Sequence, residues 1–128
     1  VIKGQRTLFV AGGLLTGKHN RTAPPEQGTR FTVGRAGAMY QTRYWHEPEF
    51  DTVENLRSIA KESGMSLATL AVRWVISNRA ITAPIIGASR PDQLADSLAA
   101  GEKGALPDDL KTKLDELTSR WRAVDAER

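Results

Sequence analysis

An α/β fold dominated by helices is what this sequence predicts, and three observations carry that reading. Beyond about Phe50, apolar residues recur at helical spacing in successive stretches. Short β-branched or apolar runs at Thr7–Val10 and Ile81–Ile86 have the length and flanking glycines of about two strands. Each periodic stretch is also punctuated by a capping residue, a glycine or a proline. With 128 residues one domain is the ceiling. The chain is 40% hydrophobic and 26% charged, the composition of a globular domain with a core rather than of a disordered tail. The absence of cysteine removes disulfides, thiolate metal sites and thiol nucleophiles together, and suits a reducing compartment, so a cytoplasmic location is expected. Apolar runs are far shorter than the roughly 20 residues a spanning helix needs, which argues against a membrane role. A net charge of +3 spread along the chain is a weak signal for nucleic acid.

In chain order, Thr7–Val10 reads as a strand entering Ala11-Gly12-Gly13, and Leu14–Lys18 can carry a helical turn. From His19 to about Phe50 the pattern dissolves into a loop holding Pro24, Pro25, Gly28, Gly34 and Gly37 together with Arg21, Arg30, Arg35 and Arg43. A loop of that length is usually functional. Asp51-Thr52-Val53-Glu54 has the form of a capping box and predicts a helix start there, with Val53, Leu56, Ile59 and Ala60 on one face and Gly64 as its left-handed stop. Ser66 caps a second helix with the stripe Leu67, Leu70, Ala71, Trp74 and Val75, ending near Asn78. The strand at Ile81–Ile86 must place Pro84 at an edge, a bulge or its start, and Gly87 breaks it. Pro91 fits the first turn of a third helix through Leu94, Leu98 and Ala99, which Gly101 ends. A last helix opens at Pro107 with Leu106, Leu110, Leu114, Leu117, Trp121 and Val124 as its stripe.

Two constellations can carry chemistry. Strand, then Gly87-Ala88-Ser89-Arg90-Pro91-Asp92-Gln93, then helix, leaves unpaired N–H groups at a helix N-terminus beside a hydroxyl and a guanidinium fork, the makings of an anion site. The bland alternative is a capped helix with a surface arginine. In the second, Ala11-Gly12-Gly13 bares the backbone ahead of Lys18 and could hold a diphosphate, although such a turn is more often only a turn. Neither G-x-G-x-x-G nor the P-loop is present, since His19 follows Lys18 where a P-loop needs Ser or Thr.

In order and together, Ala11–Lys18, Leu67–Val75 and Ala83–Leu98 resemble the C-terminal part of the aldo-keto reductases, from the seventh barrel strand onward. That resemblance implies a C-terminal fragment of a (β/α)8 barrel, a single partial domain over 1–128, and NADP(H) as cofactor. It implies that Val10, Ala11 and Gly12 run beside the nicotinamide ribose and diphosphate, with Lys18 and Arg30 toward the phosphates. Gly87, Ala88 and Ser89 would wrap the adenosine 2′-phosphate with Arg90 beside them, and Gln93, Asp96 and Ser97 would lie near that phosphate and the adenine. The family usually has Glu then Asn where this chain has Asp96 and Ser97, and Thr7–Val10 replaces its aromatic-Ser-Pro-Leu run. The family's catalytic Tyr, Asp, Lys and His come from the first half of its barrel, so no catalytic residue is assigned here. Tyr40, Tyr44, His19 and His46 are expected to be surface loop residues. Exposed strand edges would then demand self-association or a separately encoded N-terminal half. Two other classes compete. Residues 56–75 have the local form of a helix-turn-helix that could read DNA, although the second helix opens with few polar side chains. A non-catalytic nucleotide-binding or interaction subunit is the third.

Overall fold

The computed structural model describes residues 11–88 and 91–120. Five α-helices and one 3-10 helix make up the regular structure among them: the 3-10 helix Ala11–Thr16, α1 Ala36–Tyr44, α2 Glu47–Glu62, α3 Leu67–Ile76, α4 Asp92–Lys103 and α5 Asp108–Leu117. No strand occurs among the described residues. Thr7–Val10 lie outside them. Residues 81–86 run without regular structure, half-buried to exposed, because β-branched propensity holds a strand only when a ladder partner supplies the backbone hydrogen bonds.

The turn between α2 and α3 shows how local chemistry becomes structure. The Met65 N–H donates to Ala60 O at 2.9 Å and the Gly64 N–H to Lys61 O at 3.1 Å, the paired bonds of a Schellman stop. Gly64 takes φ +64°, where a Cβ would be strained. Ser66 then accepts the Thr69 N–H at 3.0 Å and opens α3. The stripe on α3 is buried at Leu67, Leu70, Ala71 and Val75, with Trp74 half-buried.

Several helix limits differ from expectation. The D-x-x-E sequence is not a capping box: α2 begins a turn earlier, at Glu47, with Pro48 in its first turn, so Asp51 lies inside the helix. There Asp51 accepts from Arg21 at 2.6 Å, and Glu54 pairs with Arg57 at 3.4 Å. Gly101 does not stop α4, because Leu98-Ala99-Ala100 carry the helix through a single glycine as far as Gly104, at φ +66°. On that helix Ala100 is fully buried while Leu98 is 64% exposed. In the supposed loop, α1 forms where Gly37 lets the backbone come against Phe31; a Cβ there would meet Phe31 O at 3.0 Å. Gln41 Nε2 donates to the same oxygen at 2.6 Å. Trp121 and Val124 lie outside the described residues.

The core runs from Leu14, Leu15 and Phe31 through Phe50, Val53, Leu56 and Ile59 to Leu67, Leu70, Leu106 and Leu114. Helix α3 is its hub, packing against α4, α2 and the 3-10 helix. Arg73 fastens the α4–α5 connection to α3, donating from Nε to Gly104 O at 2.9 Å and from a terminal nitrogen to Ala105 O at 2.7 Å. Helix α5 is tied in turn by Trp74 Nε1, which donates to Asp115 Oδ1 at 2.8 Å.

Candidate functional site

The glycine turn is helical rather than loose. Ala11 is buried at φ +47° and turns the chain into the 3-10 helix, on which Leu14 and Leu15 point into the core. The opposite side stays thin, because Gly13 presents no side chain. A Cβ there would lie 3.5 Å from Lys18 Cε, 3.8 Å from Lys18 Nζ and 3.7 Å from His19 Nε2. Lys18 therefore folds back over the bare backbone of Gly13, which brings its ammonium to the turn. Arg57 secures the far end of the 3-10 helix, donating to Gly17 O at 2.8 Å. Arg30 is exposed on the turn that precedes buried Phe31.

Residues 87–97 form the second group. Gly87 and Ala88 are exposed, and a Cβ on Gly87 would meet nothing within 4 Å, so a ligand can approach this backbone. Ser89 and Arg90 lie outside the described residues, as does Val10. Pro91 precedes α4, and Gln93 occupies its first turn. Asp96 has a structural partner, since its carboxylate accepts from Ser66 Oγ at 2.9 Å and links α4 to the cap of α3. Ser97 is half-buried on the same helix. The two groups share α3 as a wall, because both the 3-10 helix and α4 pack on it. A separate groove of about 450 Å³ between Met65, Arg73, Pro107 and Leu110 includes none of these residues.

The aromatic residues of the supposed loop are not surface residues as a set. His19 and Tyr44 are buried, and Tyr40 is half-buried; of the four, His46 alone is exposed. His19 packs edge-on against Phe31 at 5.0 Å and Trp45 at 5.3 Å between ring centres. Trp45 in turn meets Phe50 at 5.1 Å, so these rings form part of the core. Proline and glycine obscured the pattern in the sequence, because aromatic residues separated by a dozen positions show no helical or strand period. Arg57 and Arg73, which hold the two regions in place, bond across 40, 31 and 32 residues and leave no local signal at all. Among the described residues no cluster of His, Cys, Asp or Glu could hold a metal, and no helix is long and apolar enough to cross a membrane.

The model of the Aldo/keto reductase family matches residues 8–119, which takes in the glycine turn, α3 and the start of α4 together. An aldo-keto reductase of Pseudocercospora fijiensis is 36% identical over 116 residues, covering 86% of this chain and 39% of the relative. Aflatoxin B1 aldehyde reductase member 2 of Rattus norvegicus is 31% identical over 109 residues, 76% of this chain and 29% of the relative. L-glyceraldehyde 3-phosphate reductase of Escherichia coli O157:H7 is 29% identical over 91 residues, 71% of this chain and 26% of the relative. The chain belongs to the aldo/keto reductase family, and it spans less than two fifths of the length of these relatives.

Proposed function

We propose that this chain is the NADP(H)-binding C-terminal portion of an aldo/keto reductase-like oxidoreductase, a single partial domain whose helices clad one side of a (β/α)8 barrel. The observation that carries the reading is the pairing of a bared glycine turn under Lys18 with an open backbone at Gly87, inside one continuous match to the family. Lys18 and Arg30 supply cations for a diphosphate beside Val10, Ala11 and Gly12. Gly87, Ala88, Ser89 and Arg90 supply small residues, a hydroxyl and a guanidinium for the 2′-phosphate. Gln93 and Ser97 follow on α4. Asp96 fits an adenine contact poorly in this arrangement, because Ser66 already holds its carboxylate.

The bound dinucleotide would supply the hydride for carbonyl reduction. The residues of this chain bind and orient it, and the acid that protonates the carbonyl oxygen belongs to the part of the family's barrel that these residues do not match. The chain on its own is therefore expected to be catalytically silent and to need an N-terminal barrel portion or a second copy to complete its sheet, in a cytoplasmic setting.

Titration calorimetry tests the reading. NADPH should bind more tightly than NADH, and Arg90→Ala or Ser89→Ala should abolish the preference; equal binding of both coenzymes, or none, overturns it for this chain. Purified chain should not oxidise NADPH in the presence of an aldehyde.

The DNA-reading alternative loses its surface. On α3, Leu67, Thr69 and Leu70 are buried, Ser66 and Thr69 bond to Asp96, and Arg73 is engaged by the α4–α5 connection. A recognition helix needs these side chains free at its start.

A further inference from the structure

We propose that the neutral imidazole of His19, wedged edge-on against Phe31 and Trp45, plugs an aromatic box beside the glycine turn, and that its protonation loosens this box. The imidazole is 9% exposed and closes an aromatic box with Phe31 and Trp45 edge-on to it. Its Nε2 has no hydrogen-bond partner among the described residues. It faces the point above Gly13 where Lys18 Nζ also lies, each within 4 Å of the position a Cβ would take. A neutral ring tolerates this setting as an aromatic residue would. An imidazolium does not, because its Nε2–H would be buried without an acceptor and the charge would be repelled by Lys18.

The charged groups nearest the box along the chain are Lys18, Arg21, Glu26 and Arg30 around the turn, Arg43 on α1, and Glu47 and Glu49 at the start of α2. The fields that reach the ring are those of Lys18, which opposes protonation, and Glu26, which favours it. Burial is the larger influence and, with Lys18, holds the imidazole below its ordinary 6.5. The unfolded chain then takes up the proton more readily than the folded one. The packing is at full strength above 6.5 and weakens as pH falls from there through the lower folded value.

The chain has two histidines, and His46 is exposed with Nε2 against Thr42 O at 2.7 Å. Proton NMR of the full chain therefore resolves two imidazole titrations, and His46→Gln assigns them. His19 should titrate below 6.5, and the near-UV circular dichroism of the aromatic cluster should fade along the same curve. In His19→Phe, which fills the box without a charge, the signal should persist through that window. A His19 titration at or above 6.5 overturns the proposal, as does loss of the signal at the same pH in His19→Phe. Should His19→Phe not fold, the coincidence of the two curves in the parent chain decides: separate midpoints overturn the idea and shared midpoints support it. None of these readouts involves a nucleotide, so the outcome is independent of the dinucleotide reading.

Discussion

Between Glu47 and Ser77 the helix ends are finished by neighbours in sequence and the apolar faces by neighbours in space. Gly64 and Ser66 close one helix and open the next, and Leu70 is buried at the junction of α3 with the rest of the core. Between Ile81 and Ala88 the chain is just as apolar in sequence, yet it joins no helix or ladder among the described residues, and Ile85 is 48% exposed. Helices satisfy their backbone within one segment, whereas a strand must borrow donors and acceptors from another. On the proposed reading, an N-terminal barrel portion would add most to 81–88 and little to α2–α3.

The largest expected effect falls on the satisfied region. Leu70→Ala removes a side chain that is 1% exposed and should cost about 2–5 kcal/mol in a urea unfolding midpoint. A cost well below 1 kcal/mol would mean that α3 is not the hub described. Arg73→Met keeps the aliphatic stem but removes the donors to Gly104 O and Ala105 O; a loss of about 1–3 kcal/mol is expected, with faster amide exchange at the start of α5. Ser66→Ala deletes both the cap of α3 and the donor to Asp96, for about 1 kcal/mol by the same measurement. The smallest effect belongs to the other region. Ile85→Ser should move the stability of this chain by less than about 0.5 kcal/mol. If an N-terminal barrel portion is then added, the same substitution should weaken the association, and a null result in both settings would remove 81–88 as a barrel strand.

Legibility followed the range of the interaction. The α2–α3 turn was readable because a Schellman glycine and a serine cap act within four residues. The helix start at Glu47 was not, because D-x-x-E offered an equally good cap one turn later, and the tertiary structure used Asp51 to hold Arg21 instead. The ordered segments that hold the candidate cofactor residues were readable as a series that matches a family. That Lys18 leans over Gly13, that Asp96 answers to Ser66, and that His19 belongs to an aromatic core were not.

The sequence by itself determined the helical periods, the stop at Gly64 and the start at Ser66, the lack of cysteine in these 128 residues and membership of the aldo/keto reductase family. Only the tertiary structure decided which polar residues were already engaged and which apolar ones were left without cover. Propensity and capping are written in neighbouring residues, while a side chain's partner thirty or forty positions away is fixed by how the helices pack.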